Sequence, residues 1–164
     1  MSVRDEVRSA NDRYAQEFTK GDLPTPPARR FAVMTCMDAR IDPAKALGLE
    51  EGDAHVIRNA GGLVTDDALR SLVISNTLLG TEEVLVIAHT DCGMLTFSND
   101  DIRGKLEEER GADAGDIDFL PFKDVEESVR GSVEQVRSSA LLPEGLPVSG
   151  WVYDVRSGRI DKVE

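Results

Sequence analysis

The stretch EVLVIAHT (residues 83–90) decides the fold class of this chain. Residues 84–88 are all apolar and mostly β-branched, which is typical of a strand that is buried on both faces. Such a strand belongs to a parallel sheet covered by helices on both sides, so the stretch predicts an α/β fold. The apolar run stops at His89, which puts an imidazole at the carboxyl end of the strand.

Apolar runs and helical patterns alternate along the rest of the chain. Further strands are predicted at 31–35 and 54–58, followed by a strand, a turn and a second strand over 146–160. Helices are predicted over 3–18, 42–48, 65–80, the first part of 98–116, and 122–139. This order indicates an α/β protein with a mainly parallel β-sheet flanked by helices, to which the C-terminal hairpin can add an antiparallel edge strand.

Length and charge narrow the range of functions. The chain has 164 residues and a net charge of −12, which fits one globular domain spanning 1–164. An acidic protein repels phosphate backbones, so we expect no nucleic acid partner. No apolar run approaches the ~20 residues of a membrane span, and the N-terminus lacks the apolar core of a signal peptide. We therefore expect a soluble cytoplasmic protein with no membrane partner.

Two strand ends carry the residue types that bind zinc. Cys36 follows the strand at 31–35, while His89 and Cys92 follow the strand at 83–90. If these strands are neighbours in a parallel sheet, the three side chains meet at the same rim. Two thiols and one imidazole suit Zn²⁺, and three protein ligands leave one position open, as in catalytic zinc sites.

An aspartate and an arginine follow Cys36 at intervals of two residues. Asp38 can occupy the fourth zinc position itself, or stand back and accept a hydrogen bond from a water on the metal. Arg40 is its natural partner in the second case, because a bidentate pair would keep the carboxylate ionised and away from the metal. The pattern therefore predicts a carboxylate with two alternative positions.

Four motifs together resemble the β-class carbonic anhydrases. They are C-x-D-x-R at 36–40, RNAGG at 58–62, HTDCGM at 89–94 and the ending GWVYDVRSGRI at 150–160. The likeness covers roughly residues 30–160 and fits the compact, short-chain branch of the family. It implies a zinc lyase (carbonate dehydratase) that interconverts carbon dioxide and bicarbonate. It further implies Cys36, His89 and Cys92 as zinc ligands and Asp38–Arg40 as a catalytic dyad, with the aspartate on zinc only in a closed form.

The resemblance also carries expectations about the assembly and the substrate. It implies a homodimer or a larger homo-oligomer, in which the N-terminal helix (1–20) packs on a partner subunit. It places Gly61 near the substrate. Many family members have an asparagine where this chain has Gly62. Related small proteins with the same zinc and dyad residues hydrolyse carbonyl sulfide or carbon disulfide, so that activity is an alternative.

Plainer interpretations remain for the same residues. The two cysteines could be small buried hydrophobes or form a disulfide on oxidation, and the zinc site could be a non-catalytic module with Asp38 as a permanent fourth ligand. Asp38 and Arg40 could be a surface ion pair of little energetic value. His55 has no ligand spacing around it and is expected to be a packing or surface residue, and Asp91 is expected to cap a turn.

Overall fold

A computed structural model describes residues 2–164 and contains a five-stranded β-sheet. The strands are β1 Phe31–Cys36, β2 Ala54–Asn59, β3 Glu83–His89, β4 Val148–Tyr153 and β5 Ile160–Lys162. The α-helices are α1 Val3–Glu17, α2 Pro43–Leu47, α3 Asp66–Thr77, α4 Asn99–Arg110 and α5 Val125–Arg137. Two single-turn 3₁₀ helices, Ala60–Gly62 and Gly93–Leu95, follow the ends of β2 and β3.

The order of the strands across the sheet is β2-β1-β3-β4-β5. The first four strands are parallel, and β5 runs antiparallel to β4 at one edge. The predicted fold class is therefore confirmed, including the edge strand from the C-terminal hairpin. β1 and β3 are hydrogen-bonded neighbours, with Thr35 opposite Ile87. Their carboxyl ends lie side by side, so the chain delivers Cys36 and His89 to the same rim of the sheet.

Both faces of the sheet are covered by apolar side chains. Val129, Val133 and Val136 of α5 are almost fully buried on one face, against residues of β1, β3 and β4. The opposite face packs Val33 and Ile87 against residues that include Leu47 and Trp151. Every residue of β1 is buried, as its unbroken apolar run predicts. This core fixes the strands whose ends carry the candidate site.

Helix capping positions the segments next to the site. The Asp42 side chain accepts a hydrogen bond from the backbone N–H of Lys45 at 3.2 Å, and Pro43 occupies the first turn of α2. Thr65 caps α3 in the same way through the N–H of Ala68. These caps start the helices at the residues where the sequence predicts them.

The N-terminal helix α1 stands apart from the core. None of its residues is buried, and Val3, Val7 and Tyr14 present large apolar surfaces to solvent. A hydrogen bond from Tyr14 to Glu51 connects the helix to the rest of the chain. No helix within residues 2–164 combines the length and the apolar character that crossing a membrane requires.

Candidate metal centre

Three buried side chains meet at the carboxyl ends of β1 and β3. The donor atoms of Cys36, His89 and Cys92 all lie within 4.8 Å of one another. Cys36 ends β1, His89 ends β3, and Cys92 lies in the turn that follows. The structure therefore brings together the three residues that the spacing of the sequence selects as metal ligands.

His89 has one ring nitrogen that is satisfied and one that is not. Its Nδ1 lies 2.9 Å from the carbonyl oxygen of Thr90, and since a carbonyl can only accept, Nδ1 carries the proton. Nε2 then presents a lone pair, is buried, and has no hydrogen-bond partner within residues 2–164. A buried nitrogen in this condition is costly unless something binds it. A metal ion between Nε2 and the two thiols would satisfy it.

The two thiols have different acidities before any metal binds. Burial raises the pKa of the Cys36 thiol, but the His89 imidazole and the N–H groups of Asp38 and Gly61 outweigh it, and the pKa falls to about 7. Burial raises the pKa of Cys92 to about 11, with the neighbouring Cys36 adding to the shift. A divalent cation would stabilise both thiolates, so metal binding would release protons here.

Asp38 is held by Arg40 in a bidentate pair. Arg40 donates from Nε to Oδ1 at 3.0 Å and from Nη2 to Oδ2 at 2.8 Å, and its backbone N–H donates to Oδ1 at 2.9 Å. The Arg40 guanidinium keeps the pKa of the Asp38 carboxyl well below its usual range. Asp38 Oδ2 lies 3.7 Å from His89 Nε2, so the carboxylate borders the three donor atoms while it remains bound to arginine.

Arg40 also contacts the loop that carries two of the ligands. Its Nη1 donates to Oδ2 of Asp91 at 3.0 Å, and its Nη2 donates to the Asp91 carbonyl at 2.9 Å. The sequence predicts that Asp91 caps a turn, and the structure instead pairs its carboxylate with Arg40. The signal available in the sequence was an acid between His89 and Cys92, with an arginine in the opposite motif.

Arg58 is a residue of the site for which the sequence patterns predict no role. It donates from Nε to the Cys36 carbonyl at 2.8 Å and from Nη2 to the Asp38 carbonyl at 2.7 Å. Arg58 lies near the end of β2, which pairs with β1, so its side chain reaches across the rim. It fixes the turn that separates a ligand from the dyad aspartate.

The glycine turn after β2 lies directly against the end of β1. Gly62 has a φ of 68°, and a Cβ atom there would come within 2.8 Å of the backbone nitrogen of Cys36. A Cβ atom at Gly61 would meet Phe122 at 3.0 Å and Met94 at 3.2 Å. The missing side chains allow the turn to approach the metal centre, which gives the glycine at position 62 a steric reason.

Apolar side chains surround the two thiols. Ile41 and Met94 are buried with Cys36 and Cys92, and the partly buried rings of Phe97, Phe122 and Tyr153 pack against them. The centre therefore combines three metal-binding atoms and one carboxylate with apolar surroundings. These apolar surroundings are not evident in the sequence, because the residues come from several separate segments.

His55 has a different environment. Its Nδ1 lies 2.7 Å from Ser75 Oγ, which in turn lies 2.6 Å from Thr81 Oγ1. These contacts join β2 to the end of α3, as expected of a packing histidine.

The comparisons with known proteins agree with this geometry. The family model described as "Carbonic anhydrase" matches residues 31–160, and the chain is 43% identical to Beta-carbonic anhydrase 1 of Mycobacterium tuberculosis over 99% of both sequences. The chain belongs to the β-class carbonic anhydrase family. A crystal structure of carbonic anhydrase from Streptococcus mutans superposes with a TM-score of 0.95 at 49% identity, covering 100% of this chain and 99% of that one.

A relative with another activity shares the same fold family. Carbon disulfide hydrolase of Acidithiobacillus thiooxidans is 33% identical over 98% of this chain and 90% of its own length. The identity to the β-class carbonic anhydrase of M. tuberculosis is higher, at 43%. The resemblance found in the sequence motifs is thereby confirmed at the level of the family.

Zinc is the cofactor of β-class carbonic anhydrases, and the residues present here fit it. Two thiols and an imidazole are the donor set that zinc favours, and the unpartnered lone pair of His89 Nε2 lies among them. The three donor atoms, including the unpartnered nitrogen, are therefore those expected to bind the zinc ion of this family.

Proposed function

We propose that this β-class carbonic anhydrase catalyses the reversible hydration of carbon dioxide to bicarbonate and a proton. The observation that carries the proposal is the position of Asp38, which borders the three donor atoms at 3.7 Å from His89 Nε2 yet is bound to Arg40. This arrangement provides three metal ligands with a carboxylate beside them, as a catalytic site requires. A structural site would gain nothing from an arginine that competes for its fourth ligand.

Cys36, His89 and Cys92 would hold the zinc ion in this assignment. Zinc, when bound, supplies the Lewis acid that makes hydroxide available from water near neutral pH. The two thiolates neutralise the formal charge of the ion, which weakens it as a Lewis acid compared with a site of three neutral histidines. The orientation of the attacking water by the protein is correspondingly important.

Asp38 orients the nucleophile in this proposal. Because Arg40 occupies its two oxygens from one side, the carboxylate is fixed in rotation and can accept a hydrogen bond from the attacking water on the other. The depressed pKa of Asp38 makes it a weak base, so it does not retain a proton. The chain's other histidine, His55, is engaged with Ser75. We therefore assign export of the proton to solvent and buffer.

The apolar walls would receive carbon dioxide, which is small and uncharged. Ile41, Phe97 and Phe122 lie around the thiols and offer no competing hydrogen bonds from their side chains. Gly61 borders Phe122 and Met94, which a Cβ atom would meet at 3.0 and 3.2 Å, so only a glycine lets the turn lie this close to the apolar residues of the centre. We accordingly retain Gly61 as a substrate-binding position, together with Asp38 and Arg40 as the catalytic pair.

We also propose that the chain forms a homodimer or a larger homo-oligomer through α1. The helix buries none of its own residues, and the exposed side chains of Val3, Val7, Tyr14 and Phe18 lie along one face at helical spacing. A second copy of the chain would cover this face. An open groove of about 870 Å³, lined in part by Val64, Leu120 and Pro121, offers further surface to a partner copy.

A cytoplasmic location is the third part of the proposal. Cys36 and Cys92 are free and close together, and zinc binding requires both in the reduced state. A reducing compartment keeps such thiols available. Cell fractionation with an antibody to the native protein tests this assignment.

Stopped-flow hydration of carbon dioxide by the zinc-loaded protein tests the activity. Asp38→Ala should retain zinc in equal molar amount and lose turnover by about a hundredfold, the usual size of a positioned acid–base or orienting group. Asp22→Ala, which removes an exposed acid from the connector after α1, serves as the matched control and should retain activity. Equal turnover of Asp38→Ala and the native protein would remove Asp38 from the mechanism.

The relative named carbon disulfide hydrolase supplies a second candidate, hydrolysis of a sulfur analogue at the same centre. The ligands and dyad serve either substrate, so the walls of the site decide between them. Parallel assays with carbon dioxide, carbonyl sulfide and carbon disulfide separate the two activities. Faster turnover of a sulfur compound would replace the first assignment, and no turnover of any of the three by zinc-loaded protein would favour a non-catalytic zinc module.

A further inference from the structure

The guanidinium of Arg40 is held from two sides. Nε and Nη2 face the carboxylate of Asp38, and Nη1 faces the carboxylate of Asp91 at 3.0 Å. Nη2 also donates to the Asp91 carbonyl at 2.9 Å. The two acids belong to different motifs, one after Cys36 and the other between His89 and Cys92. A single side chain therefore links both ligand-bearing loops.

The backbone at Asp91 adopts a conformation that disfavours most side chains. Its φ is 56°, a left-handed value that a glycine would adopt more easily. Within residues 2–164, Arg30 and Leu120 are the other non-glycine residues with positive φ. Aspartate is one of the few residue types that tolerate this conformation, and it additionally supplies the carboxylate that contacts Arg40.

Asp38 and Asp91 differ in how exposed their side chains are, and this difference indicates different roles. The Asp38 side chain is 17% exposed and borders the metal-binding atoms, whereas the Asp91 side chain is 66% exposed and reaches them only through Arg40. Packing therefore does little to hold Asp91, and its contribution comes through the guanidinium. Without the Asp91 carboxylate, Arg40 would keep its bonds to Asp38 and to the Asp91 carbonyl, but Nη1 would lose its partner, so the guanidinium could tilt and the Asp38 carboxylate would tilt with it.

We propose that Asp91 is a positioning residue that fixes Arg40 from the far side and so determines how far Asp38 stays from the metal position. The proposal rests on the proposed function, because it concerns how the same site is kept ready for the attacking water. Asp91 touches neither substrate nor metal in this assignment. It acts on Asp38 by limiting the movement of the arginine between them.

Two variants isolate the carboxylate from the backbone. Asp91→Gly removes the side chain and relieves the left-handed backbone, so a loss of function cannot be attributed to strain. Asp91→Asn retains an oxygen acceptor and tolerates positive φ, so it should recover part of the effect. Asp113→Gly, an exposed acid that accepts only from its own loop at Gly115, is the matched control for charge and backbone freedom.

The expected kinetic effect is a fall in kcat with little change in KM. For Asp91→Gly we expect kcat to drop about threefold to fivefold, the rate equivalent of an exposed ion pair. Asp91→Asn should lie between this value and the native one. In an Arg40→Gln background Asp91→Gly should change kcat by less than about 1.5-fold, because the partner through which it acts is gone.

The readout that does not depend on activity is the visible absorption spectrum of the cobalt(II)-substituted protein at one fixed pH. This spectrum reports whether a carboxylate or solvent supplies the fourth donor. Asp91→Gly should shift the spectrum in the same direction as Arg40→Gln, by a smaller amount, while Asp113→Gly leaves it unchanged. Thermal unfolding of Asp91→Gly should occur no earlier than that of the native protein.

Either of two results would overturn the proposal. One is a cobalt spectrum of Asp91→Gly identical to the native spectrum. The other is full additivity of the Asp91 and Arg40 effects in the double variant. If the native protein proves inactive on carbon dioxide, the spectra still decide whether Asp91 acts on the metal position through Arg40, so failure of the proposed function is recognised separately.

Discussion

Arg58 donates a hydrogen bond from Nε to the main-chain carbonyl of Cys36 at 2.8 Å, across a separation of 22 residues. Its second bond, to the Asp38 carbonyl at 2.7 Å, spans the same turn. The orientation of the Cys36 thiol and of the Asp38 carboxylate thus depends on one side chain that touches neither group directly.

Arg58→Lys should therefore weaken the metal site while preserving the charge. Lysine lacks the planar fork that reaches two carbonyls at once, so the turn is released. We expect zinc affinity to fall by about tenfold, the lower end of what loss of a supporting contact to a metal ligand produces. Competition with a chromophoric chelator measures this. Arg8→Lys, on the exposed face of α1, is the control, and equal zinc affinities for the two variants would contradict the role assigned to Arg58.

The Asp38–Arg40 pair predicts a direction for the pH dependence of stability. The pKa of Asp38 is held below its ordinary value in the folded protein, so the pair stabilises the fold above the unfolded-state pKa of about 4. That stabilisation is lost as the pH falls from about 4 towards the folded-state value. Urea unfolding of the metal-free protein at several pH values between 3 and 7 measures it against Asp38→Asn. The difference in free energy of unfolding between the native protein and Asp38→Asn should shrink below about pH 4. A difference that stays constant across the range would refute this prediction.

The same depressed pKa constrains the activity profile. Asp38 is ionised throughout the neutral range, so a rise of kcat/KM between about pH 6 and 9 does not report its protonation. Asp38→Asn should lower kcat/KM across this range and leave the midpoint of any rise where it is in the native protein. If the rise of kcat/KM with pH disappears in Asp38→Asn, the titration that causes this rise belongs to Asp38 and the prediction is wrong.

Gly62 and Gly48 are two matched positions at which to test an alanine substitution. Both have left-handed backbones, with φ of 68° and 61°, but a Cβ atom at Gly48 would meet nothing within 4 Å, whereas one at Gly62 would lie 2.8 Å from the Cys36 nitrogen. Gly48→Ala should lower the free energy of unfolding by about 1 kcal/mol through the backbone alone. Gly62→Ala should lower it by a further 1–3 kcal/mol, roughly, because the clash is with backbone next to the site. If urea unfolding gives the same loss of free energy of unfolding for both variants, the turn at Gly62 moves enough to accommodate a Cβ atom, and the predicted clash is wrong.

The exposed face of α1 predicts the state of association. The native protein should sediment at twice or more the 17.9 kDa of one chain, and the double variant Val3→Glu, Val7→Glu should shift it towards the mass of one chain. Two charges on the covered face would be buried without partners. The double variant Ser9→Glu, Gln16→Glu adds the same charge to the opposite face and should leave the mass unchanged. A native protein that sediments as a single chain would refute the oligomer.

Sequence patterns predicted most of this fold because the relevant signals are local or periodic. The apolar runs at 31–35 and 83–90 located β1 and β3, and Asp42 and Thr65 marked the starts of two helices. The convergence of C-x-D-x-R and H-x-x-C also followed, since carboxyl ends of neighbouring parallel strands share one rim.

Contacts made by long side chains to distant backbone could not be predicted in this way. The bonds from Arg58 to two carbonyls and from Arg40 to the Asp91 carbonyl depend on the exact separation of three loops, and a carbonyl acceptor leaves no mark in the sequence. The helical period of α1 predicted an apolar face, but periodicity does not specify what the face contacts, and within one chain none of the residues of α1 is buried.

The proton on His89 Nδ1 is shared with the backbone oxygen of Thr90, so no side-chain replacement at position 90 can delete that acceptor. In many metalloproteins the equivalent acceptor is a carboxylate side chain that a single base change can remove. Here a substitution at position 90 leaves the carbonyl acceptor, and with it the tautomer of the His89 ring, unchanged. Substitution of the apolar residues around the centre therefore leaves the acceptor of this ring proton in place.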